Sequence, residues 1–74
     1  MIKKGIYRHY KGDRYEVLVI AKHSETLDQL VVYRALYGNY DVWVRPLSMF
    51  IENVEIAGNT MPRFTLLADS EQGF

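Results

Sequence analysis

The sequence contains no cysteine, so neither a disulfide nor a thiolate cluster can hold its fold, and thiol chemistry is excluded. No stretch approaches the ~20 apolar residues of a membrane-spanning helix. The start Met1-Ile2-Lys3-Lys4-Gly5 is basic but is not followed by the apolar run of a secretory signal. These absences predict a cytoplasmic protein with no membrane association. Net charge is lacking too: nine Lys and Arg balance nine Asp and Glu, which argues against bulk electrostatic adhesion to nucleic acid or anionic lipid. No phosphate-binding glycine loop and no dinucleotide fingerprint is present, so no cofactor is expected.

What is present is aromatic. Six Tyr, three Phe and one Trp stand among 74 residues of which 49% are apolar. Aromatic side chains pack well on pleated faces, so this composition favours strands. A domain of this length buries only ~60% of the surface exposed by its unfolded chain, which leaves a thin stability margin. Charge is unevenly spread: residues 1–14 hold Lys3, Lys4, Arg8, Lys11 and Arg14 against Asp13, whereas residues 48–74 hold Glu52, Glu55, Asp69 and Glu71 against Arg63. The simplest expectation is that the two ends neutralise each other across neighbouring strands.

Gly5-Ile6-Tyr7-Arg8-His9-Tyr10 is β-prone, and Lys11-Gly12-Asp13 supplies a turn into a second strand over residues 14–23. There Tyr15, Val17, Val19 and Ala21 alternate onto one face, while Leu18 and Ile20 make the other face apolar as well, so the strand is expected to be covered on both sides. Residues 24–29 form a polar break before a third strand over 30–37. Periodicity alone leaves a helix over 25–37 as the alternative, with Ser24 as cap and Gly38 as stop; adjacent Val31-Val32-Tyr33 disfavours it, because such side chains lose χ1 freedom in a helix. Gly38-Asn39-Tyr40-Asp41 predicts a turn, residues 42–45 a strand stopped by Pro46, and 46–50 one helical turn. Residues 51–56, the turn Ala57-Gly58-Asn59 and residues 61–67 predict a last hairpin, and 68–74 a loose tail. Five or six short strands with one helical turn suit an all-β small barrel occupying residues 1–67.

The motifs Gly5-Ile6-Tyr7-Arg8-His9-Tyr10-Lys11-Gly12, Tyr15-Glu16-Val17-Leu18, His23-Ser24-Glu25-Thr26, Val31-Val32-Tyr33, Leu36-Tyr37-Gly38, Trp43-Val44-Arg45-Pro46-Leu47 and Met49-Phe50 follow one another in order. In this the sequence, from about Lys4 to Phe64, resembles a bacterial family of very small proteins catalogued as a domain of unknown function. The resemblance implies an SH3-like barrel and carries no reaction, cofactor or partner.

Arg8, His9, Tyr10, Tyr33, Arg34, Tyr37, Trp43 and Arg45 combine flat aromatic faces with cations, the chemistry that small barrels use to hold single-stranded nucleic acid or peptides. The opposing expectation is that Tyr7, Tyr15, Tyr33 and Trp43 fill the core while Arg34 and Arg45 pair with Glu16, Glu25 or Asp41. His23-Ser24-Glu25 offers two metal-ligand types, but a catalytic zinc site usually takes three protein ligands and no spaced motif provides them. The plainer role for His23 is to fix its turn by hydrogen bonds to residues 24–26. Ser24 and Ser48 lie outside any Gly-x-Ser-x-Gly elbow. The reading that results is a non-enzymatic binding module with Tyr33, Arg34, Tyr37, Trp43 and Arg45 in a groove and Arg8 and His9 at its rim. Its partner is expected to be a protein or a single-stranded nucleic acid. Self-association into a homodimer through Val17 to Ile20, Val31-Val32 and exposed barrel edges is the alternative, unless Phe64, Leu66 and Leu67 cover that surface within one chain.

Overall fold

The computed structural model of the chain describes residues 2–69. Seven strands and one helical turn follow in the order β1 (Gly5–His9), β2 (Arg14–Lys22), β3 (Gln29–Ala35), β4 (Val42–Pro46), α1 (Leu47–Phe50), β5 (Asn53–Ile56), β6 (Asn59–Pro62) and β7 (Phe64–Asp69). The all-β class with a single helical turn is as expected, and residues 29–35 are strand, which disposes of the helical alternative. No helix among the described residues is long and apolar enough to cross a membrane.

The strands form an antiparallel five-stranded sheet in the order β4-β3-β2-β1-β7 and a separate hairpin, β5-β6. Among the described residues the hydrogen-bonded ring of a closed barrel is not completed, because β4 and β7 occupy opposite edges. The strand count exceeds the expected five or six because the last predicted strand breaks at Arg63. Its first part pairs with β5 and its second crosses to β1. Arg63 anchors the break: its N–H donates to the Glu52 carbonyl at 3.0 Å, its carbonyl accepts from Tyr10 N–H at 2.9 Å, and its guanidinium meets Glu52 Oε1 at 2.9 Å. The β5-β6 connection has two residues, Ala57 and Gly58, both at positive φ (51° and 81°), the twist that suits a tight hairpin. β7 runs to Asp69, two residues into the stretch expected to be tail; residues 70–74 lie outside the described residues.

The simple alternation expected for β2 fails at one point. Val17 stands opposite Tyr33 but Val19 stands opposite Val32, so a bulge at Leu18 reverses the phase. Tyr15, Val17 and Ile20 therefore face the core, and Val19 and Ala21 face outward. The inner face of the sheet presents Tyr7, Val17, Val31 and Tyr33, and Phe50 from α1 and Phe64 from β7 close over it. Phe50 and Phe64 stack with centroids 4.0 Å apart and rings within 4° of parallel, while Tyr7 and Tyr33 meet Phe50 edge-on at 5.5 Å. Phe64 thus covers the inner face of the apolar strands within the chain, whereas Leu66, Leu67 and, on the outer face, Val19 remain exposed, so β2 is not covered on both sides as expected.

The two ends of the chain meet as their charges suggested: Lys3 Nζ lies 3.2 Å from the carboxylate of buried Asp69, and the Tyr7 hydroxyl donates to the Lys3 carbonyl at 2.6 Å. Between them sits Gly5, buried, paired with both Val17 and Asp69, at φ +147°. A Cβ at this position would collide with the Ala68 carbonyl oxygen. Gly5→Ala is therefore expected to cost about 3 kcal/mol or more in chemical denaturation. Gly38→Ala, also at positive φ (59°) but with open space around it, is expected to cost only about 1 kcal/mol.

Candidate functional site

Strand pairing carries the core face outward to an edge. Tyr33 opposes Trp43 and Val31 opposes Arg45, so Trp43 and Arg45 extend the inner surface onto β4, where Trp43 is left largely exposed and Arg45 reaches back over Phe64. Trp43 is 52% exposed and Tyr33 only 5%. With Tyr15 and Tyr37 they line a cleft of about 250 Å³. One wall is braced by the Tyr15 and Tyr37 hydroxyls, 2.6 Å apart, and by edge-on contacts of Tyr15 with Tyr33 and Tyr37 at 5.4 and 5.6 Å. Burial pushes the Tyr15 phenol well above its ordinary range and the Tyr37 hydroxyl adds to the shift, so Tyr15 stays neutral at physiological pH.

Arg45 supplies the positive charge. Its guanidinium lies 5.8 Å from the centre of the Phe64 ring, and the described residues bring no carboxylate within ion-pair distance of it. Behind it, His9 packs against Phe64 at 4.9 Å and Tyr15 at 6.3 Å. Of the expected groove residues, Tyr33, Tyr37, Trp43 and Arg45 are thus brought together, with Tyr33 largely a floor, and His9 lies one ring away. The other two are elsewhere. Alternation puts Arg34 on the outer face, 3.9 Å from Glu16, and Arg8 borders a separate depression with Tyr10, Lys11, Gly12, Met61, Pro62 and Thr65. Tyr15, expected in the core, is the cleft residue the sequence did not disclose; only the pairing of β2 with β3 brings its hydroxyl to Tyr37. A wider depression, about 470 Å³, is lined by Ile2, Gln29, Leu47 and Ile51 and offers little to orient a polar ligand.

Both histidines serve turns. His9 Nδ1 accepts from Lys11 N–H at 3.2 Å, and His23 Nδ1 accepts from the N–H groups of Glu25 and Thr26 at 3.1 and 3.3 Å, the turn-fixing role anticipated for His23. Among the described residues no three His, Asp or Glu side chains are grouped to hold a metal ion.

The match to known proteins is of one kind. A family model described as a protein of unknown function, DUF1653, covers residues 5–66. The chain belongs to the DUF1653 family. That span nearly coincides with the one carrying the sequence resemblance. A crystal structure of a DUF1653 protein from Bordetella bronchiseptica is similar over 92% of this chain and 90% of its own, with 36% sequence identity and a TM-score of 0.84. No curated protein matches the chain. Membership of DUF1653 assigns no chemistry, so the cleft must be read from its own side chains.

The His9 environment yields a pH dependence. Burial lowers the imidazole pKa below its ordinary 6.5, and Arg45, Arg63 and Lys11 lower it further against the weaker opposing pull of Asp13. A depressed folded-state value means that the unfolded chain binds the proton more readily, so His9 contributes stability above pH 6.5 that is lost as pH falls through the folded-state pKa. Thermal midpoints are expected to be level well above the ordinary imidazole value of 6.5 and to fall as pH drops below it. The fall should be smaller in His9→Asn, whose side-chain oxygen can accept from Lys11 N–H without titrating.

Proposed function

We propose that this chain is a non-catalytic binding module whose Trp43-Arg45 cleft takes an extended anionic polymer, single-stranded nucleic acid. The observation that carries this reading is the convergence, on one aromatic-walled cleft, of a half-exposed indole and a guanidinium with no carboxylate partner among the described residues. An exposed ring offers a stacking platform to any base, and a neighbouring arginine offers its fork to the adjoining phosphate. The cleft is too small and too open to enclose a substrate, but one unstacked base fits its scale. Proline-rich peptides also use aromatic grooves; the arginine at this cleft favours an anionic ligand over such an apolar one. A homo-oligomeric role is favoured by a different observation, the exposed apolar edge of β4.

The test is fluorescence anisotropy with a labelled short single-stranded oligonucleotide, titrated at ~50 mM salt and again at ~200 mM, where affinity should fall steeply. Trp43→Ala is expected to lose about 1–3 kcal/mol of binding free energy, roughly 5- to 150-fold in affinity. Arg45→Ala should both weaken binding and lower the salt slope by about one. Binding by Trp43→Ala and Arg45→Ala as tight as the parent's, with the fold intact, would show the site to be wrong. Salt-insensitive binding of an apolar peptide through the same two residues would move the reading to peptide recognition.

A further inference from the structure

β4 carries Val42, Trp43 and Val44 in succession on a sheet edge, and all three are exposed, Val44 to 62%. The backbone shows which groups that edge presents. Ala35 N–H donates to the Asp41 carbonyl at 2.9 Å, one step beyond the register Arg34↔Val42, Tyr33↔Trp43, Val31↔Arg45. In an antiparallel ladder bonded pairs alternate, so Asp41, Trp43 and Arg45 turn their backbone groups to β3, and Val42 and Val44 turn theirs outward. Pro46 falls on an outward position, where its missing N–H costs β3 nothing.

We infer that this edge pairs with β4 of a second copy of the chain, antiparallel and centred on Trp43. In that register Val42 and Val44 each exchange both backbone hydrogen bonds with the opposite valine of the other copy. On the inner face, Trp43 meets Trp43 across the twofold axis in a non-hydrogen-bonded pair, where Cα atoms are ~4.5 Å apart and side chains closest. Arg45, without a carboxylate among the described residues of its own chain, comes opposite exposed Asp41 of the second copy, and symmetry repeats the pair. The ladder ends itself: the next outward pair would join Pro46, which has no N–H, to Tyr40, whose N–H already donates to the Tyr37 carbonyl at 3.0 Å. Registers centred on Val42 or Val44 forfeit both ion pairs. Rim ion pairs each contribute little, so they select the register while the apolar side chains and the ladder supply the attraction. An interface this small belongs to the transient class, with half-association on the order of 100 µM.

The pairing is independent of the ligand reading but engages the same Arg45, so it is tested without nucleic acid, by sedimentation equilibrium from ~10 µM to ~1 mM. The parent is expected to approach twice the chain mass. Asp41→Arg alone and Arg45→Asp alone each place like charges opposite one another twice, and each should weaken association at least ~10-fold. An equimolar mixture of those two variants restores an opposite-charge pair at both positions and should recover the parent's association. A parent that remains monomeric at the highest concentration overturns the inference. So does a dimer undiminished in both variants, or a mixture that fails to recover while each variant keeps the parent's amide spectrum.

Discussion

The stack of Phe64 on Phe50 holds the core and the cleft in one assembly. Phe50 arrives from the helical turn and Phe64 from the last strand, and together they cover an inner face that the open sheet would otherwise leave to water. Burying rings of this size dominates the energetics of so small a core. Phe64 also touches His9, Tyr15 and Tyr33 and lies under the Arg45 guanidinium. A shift of this one ring would move the core lid and the wall behind the cleft together, so the geometry of the candidate site is set by the packing that stabilises the fold.

The cleft exists because the inner face is longer than its lid. The order β4-β3-β2-β1-β7 puts Phe64 at one edge and Trp43 at the other. Tyr33 and Phe50 beside Phe64 are buried; the rings on β4 and in the turn that precedes it face solvent. The same row of residues therefore serves as core at Tyr33 and as surface at Trp43. The hydroxyl pair of Tyr15 and Tyr37 stiffens the boundary between the two. Tyr40, in the turn that joins β3 to β4, holds a left-handed φ of 57° that costs a non-glycine residue free energy, and it too presents an aromatic ring to solvent.

Local chemistry made much of the fold legible. Gly12, Gly38 and Gly58 mark turns that the structure contains, and β-branched runs mark β3 and β4. Pro46 closes β4, one residue later than expected, because its place in the ladder needs no N–H toward β3. What local chemistry could not give was pairing. The bulge at Leu18 leaves no mark in a run of five apolar residues, and it alone decides that Ile20, not Val19, faces the core. The break at Arg63 depends on Glu52 and Tyr10, distant in sequence. The site divides on the same line: aromatic and Arg content named Tyr37, Trp43 and Arg45, but only alternation within paired strands removes Arg34 and Arg8 to other surfaces and admits Tyr15.

A backbone amide NMR titration of the labelled chain with short single-stranded RNA at low salt tests the central claim most directly, because it reports where a ligand touches. Salt-sensitive shifts clustered on Tyr15, Tyr37, Trp43 and Arg45 are the predicted result. An unchanged spectrum, or shifts confined to the Arg8-Lys11-Thr65 depression on the other side of the sheet, would contradict it.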